Sequence, residues 1–201
     1  MRNDGVNSER RRFLTTTASV VGGAGAVAAT VPFVSTLTPS AKAKAIGAPV
    51  EVDIGDLAVG ERKIVKWRGK PVWILRRDDA AVDDLVSLDE VVKDPASDSE
   101  QQPSYARNEY RSQRPEYLIV LGICTHLGCS PVYARKGEGE AHNLGADWQG
   151  GFFCPCHGSR FDLAGRVYKG MPAPSNLVVP PHQYLSDSRV LIGDDSGLAQ
   201  S

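Results

Sequence analysis

Excess charge of either sign is missing from this sequence. Its 23 Lys and Arg and 24 Asp and Glu leave a formal net charge of −1 over 201 residues, which excludes the basic surface of a nucleic-acid binder. No internal repeat is visible. Hydrophobic residues at 41% and charged residues at 23% fit neither wholesale disorder nor a polytopic membrane protein. The length allows one compact domain and an appendage. Cysteine is scarce, and all 4 residues fall between positions 124 and 156, so they mark a site. Glycine and proline, by contrast, are plentiful at 20 and 13. Many turns follow, and a β-rich domain rather than a helix bundle.

Charge is absent altogether from Phe13 to Ala41, 29 residues in a row. A membrane-spanning helix needs roughly 20 apolar residues, so this stretch is long enough, although Ala, Thr and Gly make it only mildly apolar. Ahead of it stands Glu9-Arg10-Arg11-Arg12-Phe13-Leu14, which resembles a twin-arginine export signal with Glu9 in the usual Ser or Thr place. Residues 1–12 are expected on the cytoplasmic side and 13–37 as an uncleaved signal and transmembrane anchor, with all that follows outside. Cleavage near Ala41-Lys42-Ala43 or Ala43-Lys44-Ala45 is the competing outcome. Residues 38–49, TPSAKAKAIGAP, are too small and polar to build a core, and read as a flexible hinge.

From Val50 the pattern turns to short β-type runs. Alternation predicts a strand at Val50–Ile54, and two more at Lys63–Trp67 and Pro71–Arg76 around the turn Arg68-Gly69-Lys70. Asp78 to Val92 predicts a helix capped by Asp78 or Asp79. Asp94 to Arg114 reads as a surface loop. Tyr117 to Ile123 predicts a buried strand, and Leu177–Val179 and Arg189–Ile192 the last ones. His142 and His182 are expected on the surface, and Trp67, Trp73 and Trp148 in packing.

Two motifs carry chemistry: Cys124-Thr125-His126-Leu127-Gly128-Cys129 and Cys154-Pro155-Cys156-His157-Gly158-Ser159. Each offers a Cys, a His close by and one further Cys, so two loops must converge on one site. Zinc would accept two Cys and two His but leave two thiols idle. Disulfides alone would leave both His unexplained, and a Cys-His nucleophile needs one thiol. A two-iron, two-sulfide cluster with one Cys-His pair from each loop uses every unusual residue, since the two remaining Cys can join.

These motifs resemble Rieske iron–sulfur proteins, in the disulfide-containing branch found in quinol–cytochrome c reductases. Gly170-Met171-Pro172-Ala173-Pro174 is similar to the family's proline loop over the cluster. The resemblance implies one [2Fe–2S] cluster, with Cys124 and Cys154 on one iron, His126 and His157 on the other, and Cys129–Cys156 as a bridge. It implies Ser159 as a hydroxyl donor to the cluster, the two His as the catalytic groups, and His157 and Leu127 at the quinone contact, with core packing the other role for Leu127. Neutral imidazoles leave the oxidised core uncharged where four thiolates would make it doubly negative, so reduction is favoured. Gly128 and Gly158 are expected to let backbone amides approach the cluster. Phe161 stands where many members have a Tyr donating to a ligating thiolate, which implies a lower reduction potential than the Tyr form.

The fold class so implied is mainly β: an antiparallel β-sandwich over residues 50–201, with an inserted cluster-binding subdomain at about 122–174, after one transmembrane helix. The function implied is electron transfer from quinol to a c-type cytochrome. The partners are a cytochrome b subunit, a c-type cytochrome subunit and quinol, in a dimeric complex without nucleic acid. The place implied is the bacterial inner membrane, spanned once, with the domain on the periplasmic side. The small Rieske subunit of an exported molybdenum oxidase such as arsenite oxidase is a second reading, and a zinc-stabilised binding module a third.

Overall fold

The computed structural model describes residues 7–200; residues 1–6 of the expected cytoplasmic segment 1–12, and residue 201, lie outside the described residues. The chain divides into two units, residues 1–45 and 46–201. In the first, helix α1 (Ser8–Thr36) starts where the Asn7 side chain accepts a hydrogen bond from the Arg10 amide at 3.1 Å. It therefore takes in the arginines as well as the apolar run. At about 1.5 Å per residue it spans about 43 Å, more than the roughly 30 Å hydrocarbon core. None of its side chains is buried. Its hydroxyls turn inward: Thr30, Ser35 and Thr36 donate to the carbonyls of Val27, Pro32 and Phe33. Groups satisfied within the helix ask nothing of a lipid solvent. The stretch predicted as a flexible hinge carries a short helix, α2 (Ala41–Gly47), whose first turn is capped by Ser40, accepting from the Ala43 amide. Its alanines favour helix, which the reading as a structureless spacer overlooked.

The second unit is built on antiparallel sheets, as expected. Strands β1 (Val50–Asp53), β8 (His182–Tyr184) and β9 (Arg189–Ile192) form one in the order β1-β9-β8; β2 (Arg62–Trp67), β3 (Lys70–Arg76) and β4 (Tyr117–Leu121) form the second in chain order. Trp67 pairs with Lys70, leaving Arg68 and Gly69 as a two-residue loop, both at positive φ. That is the hairpin turn whose twist suits flanking strands. The period of two decides the layering. Val72 and Ile74 of β3, with Ile119 and Leu121 of β4, face Val52, Val190 and Ile192 of the first sheet and Ile54 just after β1. Trp73 and Leu75, with Leu118 and Val120, face the other way, toward Phe152, Phe161, Cys124 and Cys154. The second sheet is thus the middle layer. A third sheet, β5 (Val132–Ala134), β6 (Gly151–Phe153) and β7 (Arg160–Phe161), is inserted between β4 and β8.

Four expectations need correction. Helix α3 (Asp79–Ser87), capped by Asp78, stops short of Val92, because the Arg166 guanidinium takes the Leu85 carbonyl at 2.6 Å. Residues 94–114 are not a surface loop: Ser97, Ala106, Arg111 and Ser112 are buried, the Arg111 guanidinium donating to the carbonyls of Ala164 and Gly165. Leu177–Val179 is buried but forms no strand. Its backbone bonds go to three segments, at Gly165, Leu121 and Gln101, so no ladder develops. His182, expected on the surface, is 1% exposed; its Nδ1 meets the Pro180 carbonyl at 2.9 Å, and its backbone amide donates to the Tyr105 hydroxyl at 2.7 Å.

Candidate metal centre

The two motifs form the loops between β4 and β5 and between β6 and β7, and fold alike. In the first, the Cys124 amide donates to the Cys129 carbonyl at 2.7 Å, and the Cys124 carbonyl accepts from the Gly128 amide at 3.0 Å. In the second, Cys154 does the same with Ser159 at 2.8 Å and Gly158 at 2.9 Å. Each turn thus closes on a glycine four residues after its leading cysteine. Gly128 and Gly158 sit at φ +84° and +79°, where a side chain is strained. A Cβ on either would meet nothing within 4 Å. The left-handed turn is by itself a reason for glycine at both places.

This shared turn points both leading cysteines inward. Cys124 and Cys154 are buried, with their thiols in hydrogen-bonding contact. Burial pushes the Cys124 thiol up and its neighbour Cys154 adds to that, while the His126 amide and the Ser159 hydroxyl oppose it. Two such thiols resist ionising together unless a cation lies beside them. The imidazoles of His126 and His157 meet edge to face, centroids 4.8 Å apart at 83°. His126 is half-buried, and its Nδ1 is buried without a hydrogen-bond partner; His157 is exposed. Cys129 and Cys156 are bonded to each other, Cα to Cα 6.7 Å. Their sulfurs crowd Cys154, all three within 4.8 Å of one another, but a disulfide offers no thiolate to a metal. A charge-demanding thiol pair and an orphaned imidazole nitrogen fit a metal-containing group held by Cys124, Cys154, His126 and His157.

The proline loop 170–174 and the residues after it are tied to both tips. Fully buried Ser159 accepts from the Ala173 amide at 3.0 Å, which leaves its hydroxyl hydrogen for the Cys124 sulfur. Thr125 donates to the Ser175 carbonyl at 2.6 Å. Sequence reasoning passed over Thr125, although a hydroxyl lodged between Cys124 and His126 was a signal. Leu127 is 71% exposed, so core packing is not its role. Phe161 is fully buried. His142 is half-exposed in the insert, and Trp67, Trp73 and Trp148 are buried in the packing.

A family model described as "Rieske [2Fe-2S] domain" matches residues 104–181, and one described as "Ubiquitinol-cytochrome C reductase Fe-S subunit TAT signal" matches residues 1–40. The chain is 55% identical over 199 residues to the ubiquinol-cytochrome c reductase iron-sulfur subunit of Allochromatium vinosum, covering 99% of this chain and 95% of that one. It is 41% identical over 185 residues to the protein of the same name from Bradyrhizobium diazoefficiens, covering 92% and 94%. A solved structure titled "Hyperthermophilic respiratory Complex III" is similar at TM-score 0.47 and 23% identity, covering 89% of this chain and 98% of that one.

Proposed function

The chain belongs to the Rieske iron–sulfur subunits of ubiquinol–cytochrome c reductase, and from that premise we propose that Cys124 and Cys154 hold one iron of its [2Fe–2S] cluster while His126 and His157 hold the other. When bound, the cluster supplies a one-electron acceptor whose potential the imidazole ligands raise. The residues around it divide the remaining work. Cys129–Cys156 clasps the two tips so that four ligands on separate loops keep one spacing. Ser159 holds its hydroxyl toward Cys124 and ties the proline loop down through Ala173. His157, the exposed imidazole, accepts a hydrogen bond from a quinol hydroxyl at its outer ring nitrogen and then holds that proton. Leu127 offers apolar surface beside it to the same quinol site.

As an iron–sulfur subunit of this membrane oxidoreductase, the chain works with a cytochrome b subunit and a c-type cytochrome subunit. The quinol site lies in the former, the electron leaves to the latter, and the assembly is a dimer. Helix α1 stays as the anchor, with the β domain on the periplasmic side and the stretch 38–49 allowing it to travel between partners. Family membership favours this reading over the molybdenum-oxidase subunit and the zinc module.

The observation that carries the assignment is the pair of matching turns, each with a buried thiol at its head, whose two imidazoles meet edge to face. Purified protein is expected to be reddish-brown, to contain iron and acid-labile sulfide, and to show a reduced spin-resonance spectrum of low average g. Exchanging His157 for Cys should lower the midpoint potential and remove its pH dependence at that site. Colourless protein holding zinc would sink the ligand assignment.

A further inference from the structure

Cys154 has two kinds of neighbour. Its thiol raises that of its neighbour Cys124, and its sulfur lies within 4.8 Å of both sulfurs of the Cys129–Cys156 bridge; Cys124 is not part of that second group. A thiol beside a disulfide is the starting arrangement for exchange through a thiolate attack. We propose that the chain without its cluster is a thiol–disulfide switch, in which Cys154 displaces Cys156 from Cys129 and so removes itself from the ligand set. The inference rests on Cys154 being a cluster ligand, because iron then occupies the attacking sulfur and holds the switch off.

The step balances within the chain. The Cys154 thiolate attacks the Cys129 Sγ, a Cys129–Cys154 bond forms, the Cys129–Cys156 bond breaks, and the electron pair leaves on Cys156. Cys156 takes the proton that Cys154 gave up, so nothing is oxidised or reduced. Loop closure does not oppose it: the new bridge closes 25 residues (129 to 154) in place of 27, an entropic difference close to nil. Nor is the released group trapped inside, since Cys156 is exposed where Cys154 is buried. A chain that loses its cluster is thereby locked against taking another until the new bridge is reduced. The cluster must accordingly be in place before the chain is left with its bridge and a free Cys154 thiol.

The test uses the full chain in detergent, before and after stripping iron with a chelator under anaerobic, non-reducing conditions. Both samples are denatured in iodoacetamide, digested, and the linked peptides fragmented to locate each alkylated cysteine. Two alkylated thiols per chain are expected in both. In the loaded sample they are Cys124 and Cys154; in the stripped sample Cys124 and Cys156, with Cys129–Cys154 as the dominant link. A stripped chain that keeps Cys129–Cys156 overturns the proposal, as do links found only between chains, or links that use Cys124 as often as Cys154. The variant Cys154→Ser should keep the original bridge after the same treatment, and shuffling that persists in it also overturns the proposal. Iron and sulfide content of the loaded sample reports separately on the ligand assignment, so failure of one reading is not mistaken for failure of the other.

Discussion

Ser159 and Phe161 stand two positions apart, and both are fully buried, yet they bear on the centre in opposite ways. Ser159 directs a hydroxyl at the Cys124 sulfur, a proposed cluster ligand, and accepts the Ala173 amide. Ser159→Ala removes a bond to a sulfur that gains negative charge on reduction. A hydrogen bond to a charged group is worth roughly 1.5 kcal/mol, about 60 mV for one electron, so a redox titration should find the potential lower by tens of millivolts. The Ala173 amide is orphaned as well, and the melting temperature should fall with it. Phe161→Tyr adds a donor in place of removing one, and a potential raised by a similar amount is expected. An unchanged potential in the tyrosine variant would mean that its hydroxyl does not reach the thiolate. Ser159 and Phe161 were legible in the sequence because the motif places them. Thr125 was not, because its partner, the Ser175 carbonyl, lies 50 residues further on.

Elements declared themselves where the local pattern was strong. The hairpin β2–β3 follows from alternation and a turn tolerant of positive φ, and β4 from an unbroken apolar run. The local pattern failed at Leu177–Val179, where burial comes without a strand partner, and at the end of α3, where a guanidinium from a distant turn takes the Leu85 carbonyl. Helix α2 gives the tether proposal a sharper test than a structureless spacer would. Ala43→Pro removes the amide that Ser40 caps, and Ala45→Pro interrupts the backbone ladder of a seven-residue helix, at about 3 kcal/mol for a proline in a helix interior. If ordering and melting of this segment governs travel of the domain, quinol oxidation should change in rate while the cluster's optical and spin-resonance spectra stay as they were. The same rate in the variant would remove the hinge from the account.

Across the whole molecule, buried charge ties the layers together. Arg166, with no exposed side chain, pairs with fully buried Asp162 at 2.7 Å and with half-exposed Asp89 at 2.7 Å, and caps α3 through Leu85. Burial holds the guanidinium of Arg166 back, but the two carboxylates outweigh it and raise its pKa overall. Asp162→Asn leaves a buried cation underpaired, and a loss of roughly 3–5 kcal/mol is expected in urea denaturation; a loss under about 1 kcal/mol would show that Asp89 and the carbonyls suffice. His182 sets an acid limit on stability. Burial pushes its imidazole below the ordinary value of 6.5, against the Pro180 carbonyl and Asp195, while Tyr105 and Tyr184 pack on its ring. The folded chain therefore binds fewer protons here than the unfolded one. The stabilisation is complete above about pH 6.5 and is lost as pH falls from there toward the folded value. Melting temperatures measured from pH 7.5 down to 5 should fall less steeply in His182→Asn than in the parent, whatever the variant's stability at neutral pH.

The sequence by itself determined the chemistry of the site and the division of the chain. Ligand types and their spacing within a loop are local properties, as are a charge-free run behind paired arginines and the period of a strand. Only the tertiary structure decided which sulfur lies beside the disulfide, which imidazole is left open to solvent, and that His182 and the segment around Arg111 are interior. Those outcomes depend on which carbonyls and rings meet across tens of residues. A polar residue looks the same in sequence whether water or a distant backbone group satisfies it, because burial is settled by its partners and not by its own polarity.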